Sequence, residues 1–192
     1  MKIGLIGGTF DPPHIAHLVG ARRALEQLKL DKVIFVPNNI PPHKPQAVAS
    51  QSQRLEMVKL AVEYEKNFEV SDFEIQKGGV SYTVETVEHF YKKGYEIFLL
   101  IGQDSLVNFH TWKEYEKILQ MCKLGWFPRM NENSKTEKKI NQKVLEKSIR
   151  INSEIIEVSS SRIREYIKKG ISIRWIVPDK VIEYINQKQL YK

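Results

Sequence analysis

Apolar and polar positions along the chain follow two rhythms. Short apolar runs at residues 2–7, 32–37, 96–102 and 123–127 have the length and composition of buried strands, and the more mixed stretches 68–75 and 154–158 read as strands too. Longer stretches between them carry apolar residues three and four apart. Within 14–30 these are Ile15, Leu18, Val19, Ala21, Leu25 and Leu28, and within 51–66 they are Leu55, Val58, Leu60, Ala61 and Val62. That spacing puts them on one face of a helix. Residues 81–93, 105–120, 160–169 and 178–188 read the same way, with Gly94 closing the first. Pro37, Pro41, Pro42 and Pro45 mark 38–50 as a loop.

Strands alternating with helices predict an α/β fold, a Rossmann-like, doubly wound and mostly parallel sheet with helices on both faces. In such sheets ligands bind at the carboxyl ends of the strands, where the strand order reverses. The turns after Gly7, Pro37 and Gly102, and the one before Ser160, are therefore where chemistry is expected. The chain has 192 residues, suiting a single domain over 1–192 that needs no disulfide or metal to hold it.

Composition narrows the setting. Cys122 is the only cysteine, which excludes an intrachain disulfide and a cysteine-rich zinc site. Mean hydropathy is −0.38, and no apolar run approaches the roughly 20 residues that span a bilayer. The N-terminal run lacks a small-residue cleavage site and reads as a first strand rather than a signal peptide. A cytoplasmic protein with no membrane partner is expected, and a homo-oligomer stays open. The net charge is +7, from 30 Lys+Arg and 23 Asp+Glu. Much of the excess lies in 130–150, where Lys135, Lys138, Lys139, Lys143, Lys147 and Arg150 face only Glu132, Glu137 and Glu146. A basic run suits nucleic acid or a solvated surface. No aromatic residue there offers a base a stacking face, so an exposed, partly helical excursion is expected, and no nucleic-acid partner.

The first turn carries more chemistry: Gly7-Gly8-Thr9-Phe10-Asp11-Pro12-Pro13-His14-Ile15-Ala16-His17. It has neither the Gly-Lys-Ser/Thr ending of a P-loop nor the spacing of a dinucleotide fingerprint. Two glycines still let backbone N–H groups approach a ligand closely, and the helix start beside them favours an anion. His14 and His17, three apart, fall on one helix face. Two imidazoles there can donate to phosphate oxygens or bind a metal. A catalytic zinc usually takes three protein ligands, however, and no H-E-x-x-H or cysteine cluster supplies a third, so no protein metal site is expected. Asp11 before Pro12 reads as a turn or capping aspartate rather than a general base.

This turn resembles the signature of the nucleotidyltransferases that carry an (H/T)-x-G-H motif, with Ala16 where that family has Gly. Further segments resemble the bacterial nicotinate mononucleotide adenylyltransferases in particular: Pro37-Asn38-Asn39-Ile40-Pro41-Pro42-His43-Lys44, Ser81-Tyr82-Thr83, Ile101-Gly102-Gln103-Asp104 with Leu106, Phe109 and Trp112, and Val158-Ser159-Ser160-Ser161-Arg162-Ile163-Arg164. One match is imperfect: Phe127-Pro128-Arg129-Met130 stands where the family often has Arg-Pro-Gly, which weakens a substrate role for Arg129.

The resemblance implies adenylyl transfer from ATP to nicotinate mononucleotide, with Mg²⁺ carried on the ATP phosphate oxygens. It implies catalytic roles for His14, His17, Lys44 and Arg164. It assigns ATP to Gly7, Gly8, Thr9, Phe10, His17, Gly102, Asp104, Ser159, Ser160, Ser161 and Arg164. The mononucleotide falls to Asn38, Lys44, Tyr82, Thr83 and Trp112. Bland readings stand beside several of these: Ser81 or Thr83 as a helix cap, Trp112 as core, Arg162 as solvated. Two alternatives remain at this level: a related transferase acting on phosphopantetheine or glycerol phosphate, and a non-catalytic nucleotide or nucleic-acid binder.

Overall fold

The computed structural model describes residues 1–42, 47–129 and 140–192. Lys44, and with it residues 130–139 of the basic segment, lie outside the described residues. The apolar runs build β1 (Lys2–Gly8), β2 (Lys32–Pro37), β3 (Phe68–Val70), β4 (Glu96–Gly102), β5 (Cys122–Phe127) and β6 (Ser148–Arg150). They form one sheet in the order β3-β2-β1-β4-β5-β6, every pairing parallel. The order reverses between β1 and β4.

Alternate residues of these strands feed two cores, as the two-residue period of a strand requires. Ile3, Leu5, Ile97, Leu99 and Leu124 face α4 (Thr83–Tyr91) and α6 (Tyr115–Met121), packing with Val87, Phe90 and Ile118. Val33, Phe35, Phe98 and Leu100 lie on the opposite face under α1 (Ile15–Gln27) and α2 (Gln51–Val62), against Ala21, Ala24, Val58 and Val62. A third cluster joins Met57 of α2 to Ile163 of α8 (Ser160–Lys168) and to Val181 and Ile185 of α9 (Asp179–Gln187). The C-terminal helices are thereby clamped beside the first turn.

Three expectations need correction. The strand expected over 68–75 stops at Val70, and Phe73–Lys77 forms a short helix, α3. There Phe73 stacks on His89 with ring centroids 4.0 Å apart, and Glu74 is buried against Thr86, contacts an extended strand would forgo. The helix expected over 105–120 is broken into α5 (Gln103–Val107), a 3₁₀ turn (Phe109–Thr111) and α6, with left-handed backbone at Glu114 (φ 52°). The last strand is not 154–158. That segment has no regular structure, and Glu154 in it pairs with Arg23 of α1. The sixth strand is Ser148–Arg150 instead, preceded by α7 (Gln142–Glu146), both inside the basic segment. As an edge strand half open to solvent it can carry Ser148 and Arg150, which hides it among charges. Ile140, Val144 and Ile151 around it are buried, so this part of the segment is packed rather than an excursion.

Candidate active site

The pairing of the central strands opens the site. β1 pairs with β2 as far as Gly8↔Pro37, and β4 with β5 as far as Gly102↔Phe127. Between β1 and β4 the register ends at Leu5↔Leu99, three residues before either strand does. The carboxyl ends thus part into a crevice at the point of order reversal, where ligands bind in sheets of this kind. A Cβ at Gly7 or at Gly102 would meet nothing within 4 Å, so both strand ends border open space. Gly8 instead packs against the Phe10 ring, where an added Cβ would come within 3.0 Å.

Phe10 is buried, packs its ring on Phe35 and edge-on to His17, and has left-handed backbone (φ 50°). Such a backbone costs a side-chain-bearing residue on the order of 1 kcal/mol and reverses the chain sharply into α1. The Phe10 side chain is therefore packed into the turn, whereas the glycines offer backbone.

His14 caps α1 with extended backbone, and His17 follows in the first turn. Their rings stack, with centroids 3.7 Å apart. The His14 backbone N–H donates to His17 Nδ1 at 3.2 Å. That bond makes Nδ1 the acceptor, so in the neutral ring the proton sits on Nε2, a donor suited to a phosphate oxygen. His14 is 6% exposed, and its Nδ1 has no hydrogen-bond partner among the described residues. Burial, helped by the nearby Arg129 guanidinium, lowers its pKa to about 4, so the ring is neutral near pH 7.

The start of α8 lies against this turn. Ser159 caps the helix by accepting from Arg162 N–H. Ser160 Oγ donates to the Pro12 carbonyl at 2.8 Å. Arg164 Nη1 donates to the Asp11 carbonyl at 2.7 Å, and Nη2 reaches Ser161 Oγ at 3.4 Å, one helical turn away as the sequence predicts. Arg162 is exposed and bonds Tyr166, which suits its solvated reading. Asp11 accepts from the amides of Val48 and Ala49, a loop anchor rather than a base aimed at the crevice.

Across the crevice, Gly102 leads into α5, whose first turn holds the exposed Asp104. Arg129 stands 3.4 Å from Asp104, its amide donates to Gln103 Oε1, and its charge is felt at His14. The imperfect match around Arg129 weakens its expected role, yet the end of β5 brings it to the crevice.

The residues expected at the mononucleotide fall into two groups. Asn38 is bound into the first turn: its amide nitrogen donates to Gly8 O at 2.9 Å and its Nδ2 to Thr9 Oγ1 at 3.1 Å. Tyr82 and Trp112 are both half-buried on the same core cluster, and Lys113 Nζ sits 4.1 Å above the Tyr82 ring, joining the two segments. Trp112 leans on the buried Phe109 at 4.9 Å, so Phe109 is core and Trp112 borders it. Neither Ser81 nor Thr83 caps α4. The cap position is Tyr82, without a side-chain bond, and Ser81 Oγ accepts from Asn39 N–H.

Arg54 escaped the sequence reading. It is 1% exposed, and its guanidinium donates to Thr9 O, Asn38 Oδ1, Asn38 O and Asn39 O. It ties the ends of β1 and β2 into one rigid rim. No group of three or more His, Cys, Asp or Glu is placed to hold a metal among the described residues.

Comparison with known proteins fits this arrangement. The cytidylyltransferase-like family profile matches residues 5–166. Proteins named probable nicotinate-nucleotide adenylyltransferase align end to end: that of Clostridium tetani is 39% identical over 100% of this chain and 99% of the relative. That of Caldicellulosiruptor bescii is 40% identical over 100% of each chain. The chain belongs to the nicotinate-nucleotide adenylyltransferase family. The fold extends far beyond close relatives: Plasmodium falciparum nicotinic acid mononucleotide adenylyltransferase, solved complexed with NaAD, superposes with a TM-score of 0.78 at 19% identity. That superposition covers 99% of this chain and 97% of the other. In this adenylyltransferase the stacked imidazoles, the glycine rim and the α8 arginine converge on one mouth of the sheet.

Proposed function

We propose that the chain transfers the adenylyl group of ATP to nicotinate mononucleotide, releasing pyrophosphate and forming nicotinate adenine dinucleotide. The observation that carries this reading is the stacked His14–His17 pair at the start of α1, with His17 Nδ1 accepting from the His14 amide, beside the β1/β4 crevice. A 5′-phosphate oxygen of the mononucleotide is already a nucleophile near pH 7, so no side chain need be activated. It attacks the α-phosphorus in line, a new P–O bond forms, and the bond to the bridging oxygen breaks as pyrophosphate leaves. The protein aligns two polyanions and offsets charge that grows on the phosphate oxygens.

In this reading His17 donates to the α-phosphate and the neutral His14 ring supports it. Arg164, with the α8 N-terminus, receives the departing phosphates. Gly7, Gly8 and Gly102 admit the nucleotide, and Asp104 accepts from ribose hydroxyls. Trp112, Tyr82 and Thr83 form the ring pocket, with Lys44 supplying a further cation. ATP would carry Mg²⁺ on its own phosphate oxygens, which would offset part of their charge; the donors around the turn suit phosphate oxygens rather than a metal. Among the described residues no helix is long and apolar enough to cross a membrane, and we place the enzyme in the cytoplasm, working on mononucleotides rather than nucleic acid.

Pyrophosphate release from ATP with nicotinate mononucleotide, its amide, phosphopantetheine, glycerol phosphate or no acceptor tests the assignment. Turnover is expected with the pyridine mononucleotides. Turnover confined to phosphopantetheine or glycerol phosphate, or none with any acceptor, rejects it.

A further inference from the structure

The buried carboxyl group of Asp11 binds a residue from the far end of the sequence. Asp11 is 3% exposed. Its Oδ1 accepts from Ala49 N–H at 3.1 Å and from the Tyr191 hydroxyl at 2.6 Å, and its Oδ2 accepts from Val48 N–H at 2.8 Å. Tyr191 lies beyond α9, is 4% exposed, and its hydroxyl is 3.8 Å from Met57 Sδ. Burial and the Asp11 carboxylate push the phenol's pKa far up, so it remains a donor.

Arg164 reaches the same residue by another atom. It donates to the Asp11 main-chain carbonyl at 2.7 Å and stands 3.7 Å from Oδ2. A guanidinium beside a carboxylate ordinarily closes onto it as a fork, and that geometry would spend its charge. Three other donors already occupy a carboxylate that accepts about four.

We propose that Tyr191 is a positioning residue for adenylyl transfer: its hydroxyl keeps the Asp11 carboxylate from closing onto Arg164 as a hydrogen-bonded fork, leaving a looser ion pair at 3.7 Å, so that Arg164 is oriented by a main-chain oxygen and its guanidinium can still meet polyphosphate. The inference rests on the functional reading in which Arg164 meets the ATP phosphates. Without the phenol, Oδ1 loses a donor and the carboxylate is drawn onto Arg164.

The test is Tyr191→Phe in the full chain, with steady-state kinetics in both substrates and ATP affinity by titration calorimetry. KM and Kd for ATP should rise about tenfold while KM for the mononucleotide stays within about twofold. In the Arg164→Ala background the same substitution should change nothing further. A fall in the melting midpoint with both KM values and the ATP Kd unchanged overturns the proposal, as does a full effect without Arg164. Should the phenylalanine variant lose its cooperative melt, Val48→Pro deletes another donor to the carboxylate at an exposed side chain, and unchanged ATP affinity there overturns the proposal equally. Wild-type protein that binds ATP but turns over no pyridine mononucleotide rejects the functional reading instead, and the calorimetric comparison still decides on Tyr191.

Discussion

The imidazole pair works because its two members have different surroundings. His17 is half-buried with Nδ1 committed to a backbone donor, so its other nitrogen is fixed as N–H. His17→Ala should lower kcat by more than about tenfold, roughly 1.4 kcal/mol of transition-state stabilisation, with the melting midpoint little changed. Steady-state turnover within tenfold of wild type rules out phosphate stabilisation by that ring. His14 makes a prediction about pH. Its folded pKa of about 4 lies below the ordinary 6.5, so between those values the unfolded chain binds the extra proton. Stability from this residue is therefore complete above about pH 6.5 and lost as pH falls towards 4, by up to about 3 kcal/mol. Denaturant melts of wild type and His14→Asn at pH 7 and pH 4.5 check this, the variant being the less pH-sensitive. At this scale the sequence revealed the histidines, since spacing and the glycines before them are local. Arg54 was illegible, at an ordinary helical position that only the folding of distant segments buries; Arg129 stood out beside an imperfect match, but what it and Tyr191 reach is set by segments far apart in the chain.

At the scale of elements, local pattern succeeded wherever burial is two-sided. The inner strands β1, β2, β4 and β5 were readable because a short, continuous apolar run flanked by turn residues fits little besides a strand covered on both faces. The sixth strand was not, because an edge strand alternates with solvent and lay inside a charged stretch. The break between α5 and α6 matters most for function. A continuous helix would have set Trp112 one turn beyond Phe109 on the same face. The 3₁₀ turn and the extended backbone at Trp112 leave its ring half-buried at the edge of the core, able to offer a flat face. Trp112→Ala should raise KM for the mononucleotide about tenfold while that for ATP stays within about twofold. Equal rises in both reject ring stacking. At α8, Ser159→Ala removes the cap and should cost about 1 kcal/mol in chemical denaturation; no change would mean the Arg162 amide is satisfied elsewhere.

For the whole molecule, the charge divides by place. Lys143, Lys147 and Arg150 lie in or beside packed elements, with Lys143 paired to Glu116. Arg164, by contrast, stands at the crevice. Replacing Lys135, Lys138 and Lys139 together by Gln should leave KM for ATP and for the mononucleotide within about twofold, since the substrates are small anions bound at the strand ends. A marked, salt-dependent loss of activity would instead implicate that stretch.

Among the described residues the six-stranded sheet is bordered on either side by a strand of only three residues, β3 and β6. Exposed strand borders invite other chains to extend a sheet, and brevity is one of the ways proteins discourage it. An incoming strand would find at most three residues to match on each side, too short a template for stable amyloid-like growth. Self-association of this enzyme should therefore proceed through its helical surfaces, leaving the nucleotide mouth unobstructed by any continuation of the sheet.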